Sequence, residues 1–246
     1  MSDLLRNRMS VRSSKRDSTM LSSSPSSPLV FDKELPEVLN LKLTVVGPSM
    51  SGKSCVTQQF CLGQYVQEHE ETIEDVFNKK CEINIEHPAH RTVTSKRSVV
   101  CNLELIDTCG NIDTMNNMSR ESISNSDGVL IVFSVGDNDS YSAVMTYYDE
   151  VQKIKPLVPT VVCANKIDDK VLISDTAIMV VAGACGKVPF IKTSAVARVG
   201  IDECFSKLVN EVLDRNYLCM MDSTTSEETV AARKSISQRL SRVFKK

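Results

Sequence analysis

The chain has 246 residues, 41% of them hydrophobic, and its formal net charge at pH 7 is −2. This length and composition fit one globular domain of ordinary size with tails at its ends. No apolar run approaches the ~18 residues that a membrane span requires, and the 9 cysteines form neither a C-x-x-C pair nor a metal-ligand spacing. We therefore expect reduced thiols in a cytosolic or nuclear protein.

Charge is distributed unevenly along the chain. Residues 1–16 carry five Arg or Lys and one Asp, and residues 229–246 carry six basic residues and no acidic one, which leaves the part between them at −12. Residues 1–39 include a stretch rich in Ser and Thr with few large apolar side chains, which predicts a disordered extension. The basic ends either touch an anionic surface or keep the chain soluble.

The first predicted strand covers residues 41–46 and leads into the sequence GPSMSGKS at 47–54. This is the G-x-x-x-x-G-K-[ST] pattern of a phosphate-binding P-loop, whose glycines let successive backbone N–H groups point at an anion. A helix is predicted over 52–62, and its N-terminal dipole would add to the attraction. Lys53 would reach the β- and γ-phosphates of a nucleotide, and the hydroxyl of Ser54 would ligate Mg²⁺.

Strand-like and helix-like segments alternate through the rest of the chain. Further apolar runs lie at 99–106, 128–135, 160–164 and 188–191, and helical patterns lie at 138–154, about 171–184 and 201–216. Such alternation predicts an α/β fold with a mainly parallel sheet and helices on both faces. We expect this folded domain to cover residues 40–217.

Two motifs after the first helix suit the phosphate end of a nucleotide. The sequence T-I-E-D begins at Thr72, between the first helix and the next strand. A threonine there can coordinate Mg²⁺ only when a γ-phosphate is present, so its loop would be ordered with a triphosphate and loose with a diphosphate. The sequence D-T-C-G begins at Asp107, at the end of a predicted strand. Its carboxylate can hold the Mg²⁺ shell through a water, and Gly110 lets a backbone N–H approach the γ-phosphate.

Two later motifs suit a guanine base. In N-K-I-D, Asp168 can accept hydrogen bonds from two donors that guanine offers together and adenine does not. Asn165 would tie the loops together, and the stem of Lys166 would lie along the ring. The T-S-A sequence at 193–195 follows the last predicted strand, where its backbone N–H groups can meet the guanine O6.

The order of these motifs resembles that of a small GTPase of the Ras family over about residues 40–217. T-I-E-D-V-F is similar to the Ras-type effector segment, and TSAVARVGIDECFSKLVNEV is similar to the last strand and helix of such proteins. The resemblance implies a six-stranded P-loop GTPase fold that binds GTP or GDP with Mg²⁺. It also implies an aromatic contact from Tyr65 to the guanine.

The motifs and the resemblance together define the expected site. The nucleotide-binding residues are Gly47, Ser49, Met50, Ser51, Gly52, Lys53, Ser54, Cys55, Tyr65, Thr72, Gly110, Asn165, Lys166, Asp168, Thr193, Ser194, Ala195 and Val196. The metal ligands are Ser54, Thr72 and Asp107, and the catalytic residues are Asn111, Lys53, Gly110 and Thr72. Expected partners are effectors at residues 65–77, an exchange factor and an activating protein. We expect a monomer that does not bind nucleic acid.

Three residues depart from the family pattern where hydrolysis occurs. Ser49 and Met50 replace glycines that leave room for an incoming arginine finger. Asn111 stands where a glutamine usually orients the attacking water, and its side chain is one methylene shorter. Phosphoryl transfer depends mostly on positioning and charge stabilisation, so these changes predict slow or impaired hydrolysis. In addition, about a dozen extra residues around 87–97 predict a longer loop between the second and third strands.

The C-terminus departs as well, because it has no C-a-a-X box for prenylation. Residues 218–246 are predicted to form a tail, in which Ile236, Leu240, Val243 and Phe244 recur at helical spacing among basic residues. This pattern is typical of a helix that binds an anionic membrane surface or calmodulin. The alternative is a disordered basic tail. The expected location is cytoplasmic, with peripheral binding at the inner face of the plasma membrane.

Two functions remain open from the sequence. One is a guanine-nucleotide switch with slow hydrolysis, and the other is a scaffold that stays bound to GTP without cycling. A P-loop nucleotide kinase would leave N-K-I-D and T-S-A unexplained.

Overall fold

The structure, a computed structural model, describes residues 38–65, 74–85, 97–110 and 117–223. Its elements in chain order are β1 (Val38–Val46), α1 (Lys53–Leu62), β2 (Glu74–Ile85), β3 (Arg97–Thr108), α2 (Asn117–Asn125), β4 (Gly128–Ser134), α3 (Asn138–Ile154), β5 (Thr160–Asn165), α4 (Asp175–Ala184), β6 (Phe190–Lys192) and α5 (Ile201–Ser223). Outside the described residues lie Thr72, Asn111, residues 1–37 of the predicted extension, nearly all of the loop at 87–97, and the tail beyond 223.

The strands form one six-stranded sheet in the order β2-β3-β1-β4-β5-β6. Strands β2 and β3 are antiparallel, and the other neighbouring pairs are parallel. The predicted α/β fold with a mainly parallel sheet is therefore confirmed. β4 and β5 lie inside the sheet and are buried along their whole lengths, which explains their uninterrupted apolar sequences.

Helices cover both faces of the sheet, as predicted. On one face, Ile131 and Phe133 of β4 pack in a buried cluster with Val144 of α3. On the other face, α5 passes so close that a Cβ added to Gly128 would lie 2.8 Å from a methyl carbon of Val212. α1 contacts α5, whereas α2 and α4 both contact α3.

Local hydrogen bonds decide where two of the helices begin. α3 starts where the sequence predicts, because the side chain of Asp137 accepts a hydrogen bond from the N–H of Asp139 at 3.0 Å. α4 begins at Asp175 rather than near residue 171. The N–H groups of Leu172 and Ile173 both donate to the carbonyl of Val135, at 2.9 and 3.0 Å, which keeps this stretch out of the helix.

Other boundaries also differ from the predictions. β2 begins at Glu74, so the second half of T-I-E-D belongs to a strand and not to the connection before it. The helix α2 was not predicted, because its sequence NMSRESISN is mostly polar. Residues 38 and 39 belong to β1 and not to the predicted N-terminal extension, and residues 218–223 belong to α5 and not to the predicted tail. Among the described residues, no helix combines the length and the apolar character needed to cross a bilayer.

Candidate functional site

The P-loop connects the central strand β1 to α1, at the carboxyl edge of the sheet. Gly47 begins the loop directly after β1, and Gly52 ends it as the residue that caps α1. Gly52 has φ 90, and a Cβ there would lie 2.5 Å from the Nδ2 atom of Asn165. Only glycine fits this position, because it must combine a left-handed backbone with close approach to another loop. The carbonyl of Gly52 then accepts the N–H of Val56 at 2.9 Å, which opens the helix.

The side chain of Lys53 is buried against the P-loop. Its side chain is 6% exposed, and its ammonium group donates to the carbonyl of Pro48 at 3.1 Å. Burial lowers the pKa of Lys53, while the nearby carboxylate of Asp107 opposes this shift. A partly desolvated ammonium group next to backbone N–H groups is well suited to bind phosphate oxygens.

Asp107 provides the test of whether this site fits a divalent cation. The residue is fully buried at the end of β3, and neither carboxylate oxygen makes a protein hydrogen bond of normal geometry. Burial raises the pKa of Asp107 to about 6, and the nearby Ser54 hydroxyl and Lys53 ammonium partly offset this. A buried charge is costly unless it is fully paired, and Mg²⁺ prefers carboxylate oxygens as ligands. The residues therefore fit Mg²⁺ held by Ser54 and, through water, by Asp107.

This cation site does not depend on a cluster of protein ligands. No three or more His, Cys, Asp or Glu side chains in the described ranges are arranged to hold a metal. Mg²⁺ at nucleotides takes most of its ligands from water and phosphate.

Asn165 joins the base end of the site to the phosphate end. Its Nδ2 donates to the carbonyl of Ser51 at 3.0 Å, and its Oδ1 accepts from the hydroxyl of Thr193 at 3.1 Å. The sulfur of Cys163 lies 3.0 Å from that same hydroxyl oxygen. All four residues are at most 1% exposed. The P-loop, the N-K-I-D loop and the T-S-A loop are thus held together by one buried network.

A cavity of about 320 Å³ lies where the base is expected. Its lining residues are Gly52, Cys55, Tyr65, Asn165, Lys166, Asp168, Asp169, Ala195 and Val196. All but Asp169 are residues that the sequence analysis assigned to the nucleotide. Tyr65 and Val196 are 42% and 54% exposed, so both present apolar surface at the mouth of the cavity.

The T-S-A loop is held from two sides. Gln59 of α1 is 5% exposed, and its Nε2 donates to the carbonyl of Ala195 at 2.8 Å. The hydroxyl of Ser194 accepts the N–H of Ala197 at 2.9 Å, and the backbone of Ser194 pairs with Val199. The sequence does not predict this role of Gln59, because a polar residue on a helix does not show which distant loop its side chain will contact.

Ser49 and Met50 lie at the exposed mouth of the P-loop. Met50 is 60% exposed and has φ 61, a left-handed conformation that favours glycine. Gly110, at the end of the D-T-C-G motif, lies directly against this part of the loop. A Cβ added to Gly110 would lie 2.4 Å from the Cα atom of Ser49 and 3.0 Å from the Nζ atom of Lys53. The structure therefore brings Ser49, Lys53 and Gly110 together at the phosphate end.

Two side-chain hydrogen bonds connect α2 to the start of β2 and to β1. The hydroxyl of Ser122 donates to the carboxylate of Glu74 at 3.0 Å, and the hydroxyl of Thr44 donates to the carbonyl of Ser122 at 3.2 Å. Glu74 belongs to the predicted effector segment. Thr72 and Asn111, the two predicted residues whose roles depend on loop position, lie outside the described residues.

Comparisons with known proteins agree with this arrangement. The model of the Ras family matches residues 42–214, which is most of the chain. The chain is also similar to the Ras-like protein RAS2 of Hydra vulgaris, with 30% identity over 178 residues. That alignment covers 71% of this chain and 85% of the relative.

Proposed function

The chain belongs to the Ras family of small GTPases, and from this premise we propose that it is a guanine-nucleotide switch whose hydrolysis step is slow. Members of this family bind GTP and GDP with Mg²⁺, and they typically interact with effectors and exchange factors. The observation that carries the proposal is the mouth of the P-loop, where Met50 is 60% exposed next to Ser49, whose backbone packs against Gly110.

We assign the nucleotide roles to residues whose contacts in the site support them. Lys53 and the loop N–H groups bind the phosphates, and Ser54 with Asp107 holds Mg²⁺, which neutralises phosphate charge. Asp168 selects guanine in a cavity that Tyr65 and Val196 border. We assign Thr72 to sensing the γ-phosphate, so that the effector segment at 65–77 changes its order between the two nucleotide states.

Slow hydrolysis is inferred from what stands around the γ-phosphate position. An activating arginine must approach past Ser49 and Met50, and both side chains are exposed at that mouth. The attacking water would depend on Asn111, whose amide reaches less far than that of glutamine. Each deficit displaces a group that must act at close range, and small displacements are costly in phosphoryl transfer.

The test is single-turnover hydrolysis of bound GTP. We compare the unmodified protein with the triple variant Asn111→Gln, Ser49→Gly, Met50→Gly, with and without an activating protein that supplies an arginine. Restoring the two glycines and the longer amide should raise the rate by at least about 10-fold when the arginine is present. The single variant Asn111→Gln is the control, because Ser49 and Met50 still obstruct the arginine.

The outcomes separate the two candidate functions. Slow but measurable turnover in the unmodified protein supports the switch. The alternative of a scaffold that does not cycle is supported if there is no turnover at all and effector binding is the same with GTP and with GDP. Rapid turnover in the unmodified protein, equal to that of the triple variant, would show that hydrolysis is not impaired.

A further inference from the structure

Tyr147 of α3 contacts the phosphate end of the site through its hydroxyl group. Its side chain is 2% exposed and packs in the cluster between α3 and the sheet. Its hydroxyl donates to the carbonyl of Gly110 at 2.9 Å. No sequence motif points to this residue, because a tyrosine at a core position of a helix usually serves only to fill space.

Gly110 contacts both Tyr147 and the P-loop. The space where a Cβ of Gly110 would stand is already bounded by the backbone of Ser49, at 2.4 Å from its Cα and 2.6 Å from its N. The Nζ atom of Lys53 lies 3.0 Å from the same point. Gly110 is therefore fixed by a hydrogen bond to its carbonyl and by close packing against the P-loop.

We propose that Tyr147 is a positioning residue that holds Gly110 at the γ-phosphate and thereby sets the preference of the protein for triphosphate. This inference rests on the proposed function, because it assigns the γ-phosphate to the space beside Lys53 and Gly110. Tyr147 itself touches no nucleotide. It acts through the peptide group that joins Gly110 to Asn111, whose carbonyl it binds.

The effect should depend on the nucleotide. A diphosphate ends before it reaches Gly110, whereas a triphosphate can accept a hydrogen bond from the N–H of this residue. When Gly110 is no longer anchored, it can withdraw from the P-loop, and only the triphosphate loses a contact. A backbone carbonyl that loses a buried donor also favours that withdrawal, because it can then reach water.

The chain offers a matched control on the same helix. The hydroxyl of Tyr141 also donates to a backbone carbonyl at 2.9 Å, but its acceptor is Ala177 of α4. Tyr141→Phe and Tyr147→Phe therefore remove the same chemical group and the same length of hydrogen bond. They differ in which carbonyl loses its donor.

The experiment measures dissociation constants for GDP and for a non-hydrolysable GTP analogue in saturating Mg²⁺, along with the midpoint of thermal unfolding. For Tyr147→Phe we expect the analogue to bind about 3- to 10-fold more weakly and GDP to bind within about 2-fold of the parent. Tyr141→Phe should leave the ratio of the two constants unchanged, even if its unfolding midpoint falls as far. The inference is overturned if Tyr147→Phe weakens both nucleotides equally, or if both variants change the ratio alike.

These results also separate failure of this inference from failure of the proposed function. A parent protein that binds neither guanine nucleotide contradicts the switch itself. A parent that binds both, combined with an unchanged ratio in Tyr147→Phe, contradicts only the role of Tyr147.

Discussion

At the scale of single residues, the backbone of Met50 has a left-handed conformation, which residues other than glycine rarely adopt. A left-handed conformation costs a residue other than glycine about 1–2 kcal/mol, whereas introducing glycine costs about 0.5–1 kcal/mol of extra chain entropy. Met50 has φ 61, so Met50→Gly should stabilise the nucleotide-free protein by about 0.5–1 kcal/mol. Urea unfolding measures the difference, and Met50→Ala, which keeps the unfavourable backbone, is the control that should show no gain.

A second residue-scale prediction concerns the choice of base. Asp168 lines the cavity beside Lys166, and its carboxylate can pair with two donors of guanine. Asp168→Asn should weaken GTP binding by at least about 10-fold and favour xanthine nucleotides, whose oxo group can accept a bond from the new amide. Competition binding with GTP, XTP and ATP measures this change. Equal affinity of the unmodified protein for ATP and GTP would contradict the assignment, and Asp169→Asn serves as a neighbouring control.

At the scale of secondary-structure elements, α5 packs closely over Gly128 of the sheet. A Cβ there would lie 2.8 Å from Val212 and 3.0 Å from Leu208. Gly128→Ala should therefore destabilise the protein by about 1–3 kcal/mol, because α5 must move outward. Gly183→Ala in α4 is the matched variant, since a Cβ there meets nothing within 4 Å. It should stabilise the protein by up to about 1 kcal/mol through helix propensity. Thermal and urea unfolding of both variants would show the opposite signs.

The elements also show which parts of the fold the sequence could predict. α3 matched its predicted range because apolar periodicity and the cap at Asp137 agree. The sequence does not predict α2, because few of its residues are apolar. Serines occupy buried positions of the helix where apolar core residues usually lie. The strand β2 has no continuous apolar run, because it lies at the edge of the sheet and alternates in burial.

Some residues of the site could likewise be predicted from the sequence, and others could not. The glycines, lysine and carboxylates of the motifs could be assigned because their chemistry requires those residue types at fixed spacing. Gln59 and Tyr147 could not be, because each acts by a hydrogen bond to the backbone of a distant loop. A sequence does not show which carbonyl a side chain will meet once the helix has packed.

At the scale of the whole molecule, the charge distribution predicts where the protein binds. The body between the basic ends is acidic, and residues 229–246 carry six basic residues without an acidic one. Each basic residue near an anionic membrane contributes about 1 kcal/mol before screening, and the four apolar residues at helical spacing would add insertion. We expect the full chain, unlike a 1–228 truncation, to sediment with anionic vesicles at low salt and to be released at high salt.

The same experiment addresses regulation and the alternatives for the tail. Ser235, Ser237 and Ser241 lie among the basic residues, and phosphorylation would add up to about −2 charge at each one. A form with acidic substitutions at these serines should therefore bind the vesicles more weakly. If both the full chain and the truncation sediment, or neither does, the tail does not bind the membrane surface, and binding to calmodulin is the next assay.

The buried network around Asn165 has a consequence for how the protein is made. Its bond to Ser51 joins residues 114 positions apart, and the bond from Gln59 to Ala195 joins residues 136 positions apart. Contacts of such long range form late, because the chain between them must first be ordered. A nascent chain therefore carries the complete GPSMSGKS sequence long before it has a pocket. We expect it to gain nucleotide affinity only when β5 and the T-S-A loop have been synthesised and have packed against β1 and α1. Bound nucleotide would then mark a finished domain, and a fragment that ends before residue 193 should keep the P-loop motif without the site.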